Sequence, residues 1–179
     1  MRKLTFLSVL AAIAMLASCD KVEKLLFQPF ESPLNFDVTI NTVDNTNSQT
    51  VLGTTTVNYN LNEEIKNETD GKLDGSVVNA MYLREVAIDI SNADAGNNLG
   101  NFDNVSLAVW TGNSTPVVFG PFDVPAGSTN SAVFTIPNSP NIKQFFSGSN
   151  VSFELRGKAN TPTTKSLNAN IGATIKFDK

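Results

Sequence analysis

Leu167-Asn-Ala-Asn-Ile-Gly-Ala-Thr-Ile-Lys-Phe177 alternates without a break. Leu167, Ala169, Ile171, Ala173, Ile175 and Phe177 fall on one face, and Asn168, Asn170, Gly172, Thr174 and Lys176 on the other. A period of two over this length is a β-strand with one face buried and one wet. The same pattern recurs upstream. Phe36, Val38 and Ile40 share a face, as do Val57, Tyr59 and Leu61. Met81 and Leu83 lead into Val86, Ile88 and Ile90, and the phase change between Leu83 and Val86 predicts a β-bulge near Arg84-Glu85. Val105, Leu107 and Val109 make another strand, and so do Phe134 and Ile136, then Val151, Phe153 and Leu155. Val117-Val118-Phe119 and Phe122 flank Gly120-Pro121, which predicts a strand broken or ended by proline.

About eight strands with Gly, Pro, Asn, Asp and Ser between them, each apolar on one side, predict an all-β fold. The expected architecture is a single antiparallel β-sandwich, not a parallel α/β sheet. Helical period is brief. Asn62 to Asn67 reads as a helical turn, and Pro140 to Phe146 as one short connecting helix ended by Gly148.

The start of the chain has a different character. Met1-Arg2-Lys3 is positive, Leu4 to Ala17 is almost wholly apolar, and small residues follow, the order of a secretory signal. The apolar run is shorter than the roughly 20 residues that a spanning helix needs. Leu16-Ala17-Ser18-Cys19 resembles a bacterial lipobox, and Cys19 is the only cysteine. That resemblance implies cleavage before Cys19, a diacylglycerol on its thiol and often a third acyl chain on the new amino terminus. Several acyl chains hold a protein at a membrane at about 0.8 kcal/mol per buried methylene. The expected organisation is therefore a cleaved signal at 1–18, a lipidated tether at 19–34 and the sandwich at 35–179. Leu25-Leu26-Phe27 either belongs to the tether or docks on the domain.

Composition excludes whole classes of chemistry. The 179 residues contain no histidine, which removes the usual general base and the usual transition-metal ligand, and with them a Ser-His-Asp or His-zinc site. A net charge of -4 with no basic run argues against nucleic acid. No carboxylate pair with acid/base spacing emerges. Glu85 and Asp89 share a strand face but stand roughly 13 Å apart. No enzyme is expected.

Two sets of residues stand out as binding candidates. Asn92, Asp94 and Asn98, with Asn101 and Asp103 beyond, place oxygens at intervals in a polar loop, as calcium sites do, although a turn rich in Asn, Asp and Gly has the same composition. Trp110, the only tryptophan, falls out of phase with Val105, Leu107 and Val109, and Tyr82 out of phase with Met81 and Leu83. Both rings are expected to face outward, where they could stack on a sugar or mark a protein interface. The alternative is a twisted strand end or a covering loop. Tyr59 is in phase with the core. The Asn-x-Ser/Thr sequons at Asn67, Asn104, Asn113 and Asn150 follow from the Asn-rich composition.

From about Leu83 onward the order of segments is similar to that of small β-sandwich lipoproteins of Bacteroidetes type. Leu83-Arg-Glu-Val-Ala-Ile-Asp-Ile-Ser-Asn92 comes first, then Asn101-Phe-Asp103, a strand at 105–110, Ile142-Lys-Gln-Phe-Phe146, Val151-Ser-Phe-Glu-Leu-Arg156 and the long last strand. The resemblance implies a lipoprotein of the cell envelope, and no site residue comes with it. In that group acidic residues after the cysteine favour the outer membrane. In enteric bacteria an aspartate directly after it, here Asp20, favours inner-membrane retention. The composition is closer to the first group, so the outer membrane is expected. The expected partners are the membrane through the lipid, and envelope proteins or a glycan.

Overall fold

The computed structural model describes residues 27–179 apart from 45–46 and 128–129. Cys19, the signal and half of the expected tether, 19–26, lie outside the described residues.

Eight strands form. They are β1 (Phe30–Ile40), β2 (Thr50–Asn58), β3 (Ala80–Ile90), β4 (Phe102–Trp110), β5 (Val117–Asp123), β6 (Ser131–Thr135), β7 (Asn150–Ala159) and β8 (Leu167–Asp178). They build two antiparallel four-stranded sheets in the orders β1-β8-β3-β6 and β2-β7-β4-β5. Successive strands cross from one sheet to the other, except β4 and β5, which are neighbours in one sheet. Eight strands wound this way into two facing sheets are a jelly roll.

The alternation read from the sequence is the alternation of burial. In β8 every residue of the Leu167–Phe177 apolar face is buried. β8 is flanked on both sides, with Phe30 to Ile40 paired against it on one edge and Ala80 to Ile90 on the other. Aromatic rings tie the layers together. Phe36 of β1 stacks on Phe153 of β7 with ring centres 4.2 Å apart. Phe122 of β5 stacks on Phe134 of β6 at 5.1 Å. The expected bulge lies where predicted, between Leu83 and Glu85.

Three expectations change. The first strand begins at Phe30, inside the segment assigned to the tether at 19–34, and Phe27 is buried in the core. Pro33 hid this start. It is tolerated because β1 is an edge strand, where one side of the backbone needs no partner. The same reason lets β5 run through Gly120-Pro121, where a break or an end was expected. β5 is the other sheet's edge, and its register with β4 shifts between Val105 and Leu107. Finally, the helix expected over Pro140 to Phe146 shrinks to a 3-10 turn at Lys143–Phe145. Its backbone is engaged elsewhere, because Ile142 N donates to Met81 O at 2.8 Å and Asn141 Oδ1 accepts from Met81 N.

The helical turn expected near 62–67 is α1 (Leu61–Glu68). Asn60 caps it, accepting from the amides of Asn62 and Glu63. Ile65 is its fully buried residue and plugs one end of the sandwich.

Candidate functional site

Strand directions divide the molecule into two ends. At one end lie the start of β1, α1, the β4–β5 turn and the β6–β7 connection. At the other lie the β1–β2, β3–β4, β5–β6 and β7–β8 loops.

Trp110 and Tyr82 both sit at the first end, and both are half-buried on an outward face. Their faces are opposite ones. Trp110 pairs with Ser152 in the β2-β7-β4-β5 sheet, and Tyr82 with Lys176 in the β1-β8-β3-β6 sheet. The phase of each ring was legible in the sequence. Which outer surface it decorates depends on topology, and the topology separates them, so the two rings do not form one platform.

Asn92, Asp94, Asn98 and Asp103, considered for calcium, lie at the second end, where their side-chain oxygens are bonded to protein groups. Asp94 Oδ2 meets Lys165 Nζ at 2.6 Å, and its Oδ1 accepts from Gly96 N and from Asn97 Nδ2. Asp103 pairs with Lys158 at 2.9 Å. Asn92 Oδ1 accepts from Asn168 N at 2.7 Å, and Asn98 Oδ1 accepts from Gly100 N at 2.8 Å. Among the described residues no group of three or more Asp, Glu, Cys or His side chains is gathered as a metal site would gather them.

These residues form a hydrogen-bonded clasp between loops. Asn101, 6% exposed, is its centre. Its Nδ2 donates to Gly96 O, Thr161 Oγ1 and Pro162 O, and its Oδ1 accepts from Asn98 N. Asn98 and Asn101 thereby make a reciprocal cap on the 3-10 turn Leu99–Asn101. Asn97 Oδ1 accepts from Thr164 N at 2.7 Å, and Thr163 Oγ1 from Val43 N at 2.9 Å. Three loops, β1–β2, β3–β4 and β7–β8, are thus joined through buried or half-buried amides and hydroxyls. The sequence marked Asn98 and Asn101 as candidate oxygen ligands but not Asn97 or Thr163. The spacing Asn98-x-x-Asn101 was the available signal for the cap.

At the opposite end Tyr59 lies in the core, as its phase predicts. Tyr59 is buried against Phe146, with ring centres 5.1 Å apart at 87°, and its hydroxyl has no hydrogen-bond partner among the described residues. Burial first, and the Glu64 carboxylate second, push its pKa above the ordinary phenol value.

Exposed carboxylates make the molecule pH-sensitive in one direction. The Lys165 ammonium and the Asn97 amide hold Asp94 at about 2, below its usual 3.8. Asp103 is lowered by Lys158, Asp74 by Ser76 and Asp178 by Lys176. A folded pKa below the unfolded one stabilises the fold above the unfolded value, and this is lost as pH falls through the folded value. The melting temperature is expected to be level between about pH 7 and pH 5 and to fall between about pH 4 and pH 2. Circular dichroism melts would show it, and Lys165→Ala should shallow the acid limb. A melting temperature that rises below about pH 4 would contradict the assignment.

The fold and its clasped loops define an eight-stranded jelly-roll domain, and comparison with known proteins adds likenesses of low degree. No family model matches the chain, and no curated protein matches it. Among solved structures it is similar to the family 32 carbohydrate-binding module of C. perfringens NanJ, solved in complex with galactose. There the identity is 9%, the TM-score 0.39, and 81% of this chain and 99% of that one are covered. It is also similar to the cyanophage Pam1 capsid asymmetric unit, at 14% identity and TM-score 0.38 over 85% and 88% of the two chains. A third is a putative secreted protein from Parabacteroides distasonis, at 12% identity and TM-score 0.38 over 80% of this chain and 49% of that one. Likeness at this level carries nothing about ligand or assembly.

Proposed function

We propose that this chain is a lipid-anchored, non-catalytic protein of the cell envelope, with a binding or structural role as an accessory subunit of an envelope complex. The observation that carries the proposal is Leu16-Ala17-Ser18-Cys19, with the single cysteine at the position a lipobox requires. Two facts support it. Histidine, the usual general base, is absent from the sequence, and no described helix is long and apolar enough to cross a membrane. Burial of Phe27 adds a geometric consequence. Only residues 20–26 separate the anchor from the packed domain, which keeps the sandwich near the bilayer. The outer membrane is the proposed location, and protease shaving of intact cells reads which side the domain faces. A carbohydrate-binding module built on Trp110 and Tyr82 is the other reading, and each ring would have to act alone in it.

Cys19→Ala is expected to move the protein from the membrane fraction to the soluble fraction, or to leave the signal uncleaved. Fractionation with immunodetection and intact-mass analysis checks both. A Cys19→Ala protein that stays membrane-bound and processed would overturn the lipid anchor.

A further inference from the structure

The clasped loop end contains a cleft of about 430 Å³. We infer that this cleft is a binding site for a neutral glycan, presented away from the membrane. The inference rests on the lipid-anchor reading for its orientation only. Phe27 lies eight residues after Cys19, a reach of at most about 28 Å. The end where β1 starts therefore faces the bilayer, and the cleft lies a strand length further out, about 35 Å along β1.

The lining selects the ligand class. Its lining residues are Asn98, Asn101, Thr161, Ala95, Pro162 and the glycines Gly96, Gly100 and Gly127. No charged side chain lines it, and the nearby Asp94 and Asp103 are each paired with a lysine. A phosphate, an acidic sugar or a cation finds no opposite charge there. A lipid tail finds only Ala95 and Pro162. A peptide strand finds no free sheet edge. Sugar hydroxyls, which both donate and accept, match amides and bare backbone.

The floor is built for close approach. A Cβ on Gly100 would come within 2.4 Å of Gly127 O, so the two loops meet backbone to backbone. Gly127 has φ +104 and open space where a side chain would be. Asn98 is 4% exposed, yet it has bonding capacity left. Its Nδ2 donates to Asp94 O and its Oδ1 accepts from Gly100 N and, in the cap, from Asn101 N, leaving one N–H. The clasp fixes these groups before any ligand arrives, which lowers the ordering cost of binding.

The test uses the full-length lipoprotein in detergent micelles on an array of neutral, sialylated and sulfated glycans, with a peptide library in parallel. Neutral glycans are expected to bind. Ala95→Trp, at an exposed position on the rim, should weaken binding about tenfold or more with an unchanged melting temperature. If that variant loses its melting transition, Thr161→Tyr fills the cleft from the opposite wall. Trp110→Ala, at the other end, should bind as wild type. Retention of acidic glycans only, of peptides only, or of nothing would overturn the site. So would binding lost in Trp110→Ala and kept in Ala95→Trp. Running Cys19→Ala on the same array separates the two proposals. Glycan binding without membrane retention leaves the site standing, and membrane retention without glycan binding removes the site alone.

Discussion

Phe153→Ala is expected to lower the unfolding free energy by about 3–5 kcal/mol, the cost of deleting a buried aromatic ring and leaving a cavity. Phe153 is 1% exposed and sits on β7, which lies between β2 and β4. Its ring stacks on Phe36, which β1 carries in the other sheet. One side chain therefore fills the gap between sheets and holds an edge strand down. Small domains are stable by only about 5–15 kcal/mol, so this loss is a large share. Denaturant titration should show a lower midpoint with an unchanged slope. Phe153→Leu refills much of the volume and should recover much of the loss. A change below about 1 kcal/mol for Phe153→Ala would mean that the sheets do not share this ring.

The second large effect belongs to the loop end. Asn101→Leu keeps the size of the side chain and removes every bond it makes. Asn98 N, Gly96 O and Pro162 O would then lose their partner. An orphaned buried polar group costs about 1–3 kcal/mol, and water can reach some of these, so a total near ~3 kcal/mol is expected. The damage should be local first. Hydrogen exchange should quicken in 91–101 and 160–164 while the amides of β8 keep their protection. Uniform loss of protection, or none, would show that Asn101 is not the clasp.

The fold was legible wherever one face of a strand is buried along its whole length. β8 is the clearest case, because both of its neighbours are strands and its apolar residues have only the core to face. Edge strands were harder to read. Pro33 and Pro121 looked like terminators, and only position in the sheet makes them acceptable. The loop end was the least legible part. Asn101 bonds to Thr161 and Pro162, about sixty residues away, and no local pattern encodes that meeting. The Asn, Asp and Gly composition was read as oxygen ligands or as a plain turn. The structure gives those amides a third role, joining loops to one another.

The place of β8 also bears on when the protein can fold. β8 pairs with β1 and β3 at once, and it is the eighth of the eight strands. A chain delivered amino terminus first must hold β1 and β3 apart, with their shared partner missing, until residues 167–178 arrive. Pairing over such sequence distance is slow, because loop closure comes before any contact rewards it. For the export proposed for this chain the delay would be useful. The sheet would not close early on the wrong side of a membrane, and the chain would stay threadable until its central strand had crossed.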